Sequence, residues 1–188
     1  MKELSLNILD ISQNSISAKA LLVQILIEET DESLQISIVD DGVGMSKDFL
    51  DTVSDPFRTT RKTRKVGMGI PLFKLAAEQT GGSVSIESKD IHLFPTGHGT
   101  TITAFFNKMH LDFTPLGDII STILILIQGN PDVDFHFQHK LPDNEYVEMD
   151  TRDIKEVLGA DVPINSFEVL DWIRESLKEQ YVNYNNNY

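Results

Sequence analysis

Residues 33–39 alternate apolar and polar side chains and then run into two aspartates and a glycine. The stretch reads SLQISIVDDGVGM, with Leu34, Ile36 and Ile38 on one side. A period of two residues is typical of a strand with one buried face, and the acid–glycine ending predicts a turn. Glycines there let backbone approach a flat ligand closely, and the Asp40 carboxylate can accept a hydrogen bond from an exocyclic amine. An ordinary strand–turn–helix connection would use the same residues, so both interpretations stay open.

A helix predicted over residues 3–18 carries two different faces. One is an apolar stripe that includes Leu4 and Ile8. The other holds Asp10 and Asn14, which lie one helical turn apart. A carboxylate and a carboxamide so placed can share Mg²⁺, a hard cation that combines few protein oxygens with substrate phosphates. A solvated polar face is the alternative.

Five cations lie within residues 58–65, in a chain of 188 residues that has 16 Lys and Arg against 29 Asp and Glu. The sequence GMG follows at 67–69, and a helix is predicted over 71–80 with Pro71 in its first turn. A helix N-terminus behind glycines is an anion site, and Arg and Lys can neutralise phosphate oxygens. Because the net charge is −13, nucleic acid and anionic membranes are not expected partners.

The charge composition of the sequence changes near residue 107. Two more strands are predicted before it, and the acidic remainder has six cations against fifteen anions. We expect one domain over 1–108 and a C-terminal helix, hairpin and helix module over 109–188 packed on it. Trp172, in the last helix of that module, is expected in the core. The predicted elements are strands at 83–89 and 99–106, a helix at 115–128 whose Ile-rich run also allows a strand, a hairpin over 133–151, and helices near 151–159 and 166–182.

Composition predicts a cytoplasmic location. The chain has no cysteine, so disulfides and thiolate metal sites are excluded. Its first ten residues lack the uninterrupted apolar run of a signal peptide. The longest mainly apolar stretch, residues 119–127, is too short to span a bilayer, so no membrane association is expected.

In their order along the chain, these motifs resemble the GHKL superfamily of ATP-binding proteins. The resemblance covers about residues 4–106. Residues 67–88 look like the branch of histidine kinases and anti-sigma-factor kinases, whereas the first motif is close to the mismatch-repair pattern. The resemblance implies an α+β fold of the Bergerat type, a two-layer sandwich whose mixed sheet is covered by helices on one face. The matching motifs are the N box at 10–18, glycine boxes at 40–44 and 67–69, and a last box at 97–100.

The resemblance also implies an ATP and Mg²⁺ site. Asp40 would accept the adenine amino group, with Thr100 assisting through water. Asn14 would hold Mg²⁺ against the triphosphate, and Asp10 would be either a second metal ligand or the general base for a water. Relatives that hydrolyse ATP usually have Glu at that position, and Asp reaches one methylene less far. The other implied cofactor-binding residues are Gly42, Gly44, Met45 and Ile70 around the base, and Thr60, Arg61, Lys65, Gly67, Met68 and Gly69 at the phosphates.

Two functions follow from this resemblance. The first is a stand-alone ATPase or protein kinase of bacterial signalling, because no phosphoacceptor helix pair precedes residue 10. Phosphoryl transfer would go to water or to a Ser, Thr or His of a partner protein. The second is a switch that binds ATP without turnover and alters a partner-binding surface when a lid closes. No nucleic-acid partner is expected, and homodimerisation stays open.

Overall fold

The computed structural model describes residues 3–53, 69–159 and 161–185. Each helix and strand predicted within these ranges is present, with ends that differ by a few residues. None of the described helices is long and apolar enough to cross a membrane. In chain order the elements are α1 (Leu4–Ser17), β1 (Leu22–Glu29), β2 (Ser33–Asp40), α2 (Lys47–Val53), α3 (Gly69–Gln79), β3 (Ser83–Lys89), β4 (Gly99–Asn107), α4 (Ile119–Gly129), β5 (Asp134–Lys140), β6 (Tyr146–Asp150), α5 (Thr151–Leu158) and α6 (Phe167–Asn185).

The six strands form one mixed sheet in the order β3-β4-β2-β1-β5-β6. β1 pairs in parallel with β5, and the other neighbouring strands pair antiparallel. The parallel pairing runs from Leu22 opposite Asp134 to Glu28 opposite Lys140. β5 and β6 therefore extend the sheet that β1 to β4 begin. The domain boundary at residue 108 stays a prediction.

Alternation along the strands gives the sheet one buried face, as the period of two predicted. On β2, Leu34, Ile36 and Ile38 are buried, whereas the residues between them are partly exposed. Buried side chains of α1, α3, α4 and α6 join these strand residues in one hydrophobic core. Burial of such a face is the main source of stability for a layered fold. The α+β class and the mixed sheet with its helices are confirmed.

The last helix departs from its prediction. Leu170, Ile173 and Leu177 are buried, but Phe167 is 75% exposed and Trp172 is 60% exposed. The expectation that Trp172 lies in the core was therefore wrong. Successive residues of an α-helix point about 100° apart, so the burial of Ile173 turns its neighbour Trp172 away from the core.

Candidate functional site

Asp40, the last residue of β2, is the centre of a hydrogen-bonded cluster. Its Oδ1 accepts from the backbone N–H of Gly42 at 2.9 Å and of Thr100 at 3.2 Å. Its Oδ2 accepts from the Ser15 hydroxyl at 2.6 Å. A carboxylate can accept about four hydrogen bonds, so these three leave Oδ2 room for one further donor. The carboxylate is thus fixed in orientation and is partly exposed.

The neighbouring residue, Asp41, has a structural role. Asp41 Oδ1 accepts from the backbone N–H groups of Leu21 at 2.7 Å and of Leu22 at 2.9 Å. It therefore fixes the entry into β1. Of the two adjacent acids, Asp40 is the one whose carboxylate bonds both α1 and the 97–100 loop.

Two glycines let three loops approach one another beside Asp40. Gly44 has φ +69°, and a Cβ there would overlap the carbonyl oxygen of Lys89. Gly99 has φ +129°, and a Cβ there would overlap the carbonyl oxygen of Asp40. Both the left-handed backbone and the close contact favour glycine. Gly44, predicted beside the base, and Gly99, in the 97–100 box, therefore permit the loop packing.

Ser88 is a site neighbour that the sequence did not single out. Its hydroxyl oxygen accepts from the Met45 N–H at 2.8 Å and lies 2.9 Å from Thr100 Oγ1. The carbonyl oxygen of Gly99 is a further acceptor for that hydroxyl, at 3.1 Å. The register of β3 against β4 places Ser88 directly opposite Thr100. That register is the signal that would have found it.

His98, within the 97–100 box, contacts the same cluster. Its Nδ1 lies 2.6 Å from the carbonyl oxygen of Gly42. Because a carbonyl oxygen can only accept, Nδ1 carries the hydrogen and donates. The 97–100 loop thus makes two hydrogen bonds near Asp40. His98 donates to the Gly42 carbonyl, and the Thr100 N–H donates to the Asp40 carboxylate.

Helix α1 brings Asp10 and Asn14 to the start of α3. A Cβ on Gly69 would lie 3.0 Å from the Asp10 Cβ and 3.8 Å from Asn14 Nδ2. Asp10 is exposed, and Asn14 is partly exposed. Since Ser15 follows Asn14 and bonds Asp40, one helix connects the carboxylate–carboxamide pair to the Asp40 cluster.

The remaining predicted residues divide into two groups. Ile70 is buried, and Met45 is a partly buried neighbour of the core.

Among the described residues, no group of three or more His, Asp or Glu side chains is placed to hold a metal ion. Asp10 and Asn14 fit instead a cation that takes few protein ligands, and their role as metal ligands stays a prediction. The predicted phosphate contacts Thr60, Arg61, Lys65, Gly67 and Met68 lie outside the described residues.

A second polar cluster lies at the opposite end of β1. Glu29 accepts from His139 Nε2 at 3.0 Å and from Lys108 Nζ at 2.6 Å. The hydrogen bond from His139, together with Lys108, lowers the pKa of Glu29 to about 2. Tyr181 lies 2.9 Å from His139 Nδ1, and burial raises its pKa above the usual range. This cluster joins β1, β5 and α6 and is separate from Asp40.

Two cavities are also distant from the Asp40 cluster. One, of about 410 Å³, lies between the start of α4 and the end of α6. The other, of about 150 Å³, lies between β6, α5 and α6. No residue of the Asp40 cluster lines either one. The site is therefore defined by the hydrogen bonds around Asp40 rather than by cavity size.

The motifs and this geometry agree with a comparison against protein families. Residues 1–110 match the family of histidine kinase-, DNA gyrase B- and HSP90-like ATPases. The chain belongs to this family. Membership implies a nucleotide site, and the Asp40 cluster lies within the matched residues of this ATPase-family protein.

One curated relative of this ATPase-family protein is a sensor histidine kinase. The sensor histidine kinase ZraS of Escherichia coli (strain K12) is 29% identical over 82 residues, which is 44% of this chain and 16% of ZraS. The chain thus matches about a sixth of that kinase.

Two solved structures share the fold over most of the chain. The Aquifex aeolicus MutL ATPase domain complexed with ADP has a TM-score of 0.51 at 12% identity, over 84% of this chain and 69% of that one. The N-terminal domain of a DNA repair protein has a TM-score of 0.50 at 16% identity, over 85% of this chain and 58% of that one. At such identities the likeness shows the fold alone.

Proposed function

We propose that the protein binds Mg-ATP at the Asp40 cluster and acts as an ATPase or protein kinase in bacterial signalling. The observation that carries the proposal is the Asp40 carboxylate, which three donors hold in place while Oδ2 keeps room for one more. The adenine amino group is a donor of the required kind. The ADP complex of the MutL domain supports nucleotide binding in this fold.

The phosphate end of the nucleotide would extend toward α1 and α3. Asn14 and Asp10 would hold Mg²⁺, which supplies positive charge against the triphosphate when bound. The first-turn N–H groups of α3 would offer hydrogen bonds to phosphate oxygens. Gly69 keeps this turn close to α1, because a side chain at that position would meet Asp10.

Asp10 is the proposed general base if water is the acceptor. It would take the proton as the water oxygen bonds to the γ-phosphorus and the bond to ADP breaks. If a Ser, Thr or His of a partner protein is the acceptor, Asp10 would serve mainly as a metal ligand. The unidentified partner, a cytoplasmic location and a possible homodimer belong to the proposal.

A switch that binds ATP without turnover is the second candidate. It is favoured by the short reach of Asp10 where hydrolysing relatives usually have Glu, since a loss of reach can disturb a positioned proton transfer. Nucleotide binding would then change a partner-binding surface.

Titration calorimetry with Mg-ATP tests the binding step. We expect Asp40→Ala to weaken ATP affinity at least tenfold, because the adenine acceptor is lost. Asp31→Ala is the matched control, as Asp31 is exposed in the turn between β1 and β2. Unchanged affinity in a folded Asp40→Ala protein would refute the site.

Incubation with labelled ATP tests the reaction. Free phosphate that disappears in Asp10→Asn, with affinity retained, would support the ATPase. Label on a co-purified protein would support the kinase. Tight binding with neither product would favour the switch.

A further inference from the structure

The small cavity between β6, α5 and α6 combines an exposed tryptophan with an acidic lining. Its volume is about 150 Å³, and its lining includes Ile154, Leu177 and Trp172. Ile173, also in the lining, is buried, whereas Trp172 is 60% exposed. A large aromatic face that stays in contact with water beside an apolar floor is a feature of recognition surfaces.

The acidic side chains that line this cavity favour a positively charged ligand. Glu148, Asp150 and Asp153 line it, and no Lys, Arg or His does. Asp150 is engaged, because the Arg152 guanidinium donates to it at 3.0 Å and lowers its pKa. Asp153 is exposed in the first turn of α5, whereas the Glu148 carboxylate is paired with His136 Nε2 at 3.3 Å. The Asp153 carboxylate thus remains at the rim for a cation.

Partner binding by strand addition is disfavoured at this edge. β6 ends the sheet, so its outer backbone groups could in principle pair with another strand. Gln180 of α6 covers them instead: its Oε1 accepts from the Glu148 N–H at 2.8 Å, and its Nε2 donates to the Glu148 carbonyl at 3.2 Å. A side chain inserted into the cavity is therefore the mode that the surface supports.

The size of the cavity favours a single side chain over a small-molecule ligand. Small-molecule sites usually enclose roughly 300–1,000 Å³, two or more times this volume. Of the two long cationic side chains, arginine fits better, because a planar guanidinium stacks on indole and forks to carboxylates. The charge of the surrounding segment agrees, since residues 107–188 contain six cations and fifteen anions.

We propose that this cavity, which we call the Trp172 groove, receives an arginine from a basic segment of a partner protein. The guanidinium lies against the Trp172 ring and pairs with Asp153. This function is independent of nucleotide binding and goes beyond the proposed ATPase or kinase activity.

The fluorescence of the protein reports the groove directly, because Trp172 is the single tryptophan of the chain. The first probe is a short unlabelled peptide of alternating arginine and leucine. The second is the same peptide with citrulline in place of arginine. Citrulline keeps the shape of the side chain but removes its charge. We expect the arginine peptide to change Trp172 emission saturably and to bind about five- to tenfold more tightly than the citrulline peptide.

Variants separate the groove from general attraction to an acidic protein. Anisotropy of a fluorescein-labelled arginine peptide should show affinity reduced about five- to tenfold by Trp172→Ala and severalfold by Asp153→Asn. Asp132→Asn makes the same charge change at an exposed loop position outside the groove and should have little effect. Equal losses in Asp153→Asn and Asp132→Asn, or equal affinity for the citrulline peptide, would overturn the proposal.

Sedimentation tests whether a second copy of this protein, rather than a partner protein, occupies the Trp172 groove. We expect wild type and Trp172→Ala to have the same oligomeric state. Self-association that Trp172→Ala abolishes would show that a second copy occupies the groove, and would overturn a partner arginine. ATP affinity should be the same in both proteins, so failure here is distinguishable from failure of the nucleotide site.

Discussion

The hydroxyl of Ser15 donates to the carboxylate of Asp40 at 2.6 Å and so ties α1 to the end of β2. The second acceptor within reach, the carbonyl oxygen of Ile11, is 3.4 Å away. Because Asn14 precedes Ser15, one turn of α1 connects the proposed adenine acceptor to the proposed metal ligands. The two ends of the site are therefore positioned by a single helix.

Replacement of Ser15 by alanine should weaken Mg-ATP binding without abolishing it. The carboxylate would lose one of three donors and some of its fixed orientation, and a hydrogen bond to a charged group contributes roughly 1.5–3 kcal/mol. We expect affinity to fall about three- to tenfold by calorimetry. Ser17→Ala is the control, since Ser17 bonds the carbonyl of Gln13 on an exposed part of the same helix. Equal effects of the two changes would contradict the assigned role of Ser15.

Alanine at position 69 should separate α3 from α1. Its Cβ would lie 3.0 Å from the Asp10 Cβ, which is closer than carbon atoms normally pack, so Asp10 or α3 must give by a few tenths of an ångström. We expect lower Mg-ATP affinity and turnover, and about 1–3 kcal/mol less stability in urea unfolding, partly offset by the better helix propensity of alanine.

Gly129→Ala is the matched helical control for that change. Nothing lies within 4 Å of a Cβ at Gly129, which ends α4. It should leave nucleotide affinity unchanged and alter stability by less than about 1 kcal/mol. A Gly69→Ala protein with wild-type affinity and turnover would show that the close approach of α1 and α3 is not needed.

His98 should act as a positioning residue for the nucleotide loops. Its Nδ1–H holds the carbonyl of Gly42, whose own N–H donates to Asp40. We expect His98→Ala to weaken ATP binding about threefold to tenfold and His98→Asn to restore much of it, because an asparagine amide can donate from a similar position. His92→Ala, at an exposed position of the preceding turn, should have no effect. Failure of asparagine to improve on alanine would argue against the hydrogen bond.

The sequence predicted the sheet well because strand periodicity is a local signal. Leu34, Ile36 and Ile38 identified the buried face of β2 before any partner strand was known. The motif order likewise singled out Asp40, whose role as adenine acceptor stays a prediction, and the spacing placed Asp10 and Asn14 on one helix face. The strand inference needed only the chain within about ten residues, whereas the assignment of Asp40 needed the order of the motifs over residues 4–106.

Contacts across strands were not predictable in the same way. Ser15, Ser88 and His98 meet the Asp40 loops only through register and loop packing, and a single sequence does not contain the register. Trp172 shows the opposite error: an aromatic residue on an amphipathic helix suggested burial, but the neighbouring Ile173 occupies the inward side. Hydrophobicity alone does not fix the direction of a side chain on a helix.

Stability in acid should depend on Glu29. The hydrogen bond from His139, together with Lys108, lowers the pKa of Glu29 from 4.5 to about 2. A carboxyl whose pKa is lower in the folded state stabilises that state above its unfolded pKa, and loses this contribution as pH falls toward the folded pKa. The loss should therefore develop between about pH 4.5 and pH 2. The shift corresponds to at most about 3 kcal/mol at neutral pH.

Urea unfolding of wild type and Glu29→Gln at pH 7 and pH 3 measures this contribution. The difference in unfolding free energy between the two proteins should be about 2–3 kcal/mol at pH 7 and clearly smaller at pH 3, because wild-type Glu29 begins to lose its advantage below pH 4.5. Glu28→Gln, at the exposed neighbouring position, should show little difference at either pH. A Glu29→Gln deficit that is the same at both pH values would mean that packing rather than ionisation gives Glu29 its effect, because only the ionised carboxylate gains from His139 and Lys108.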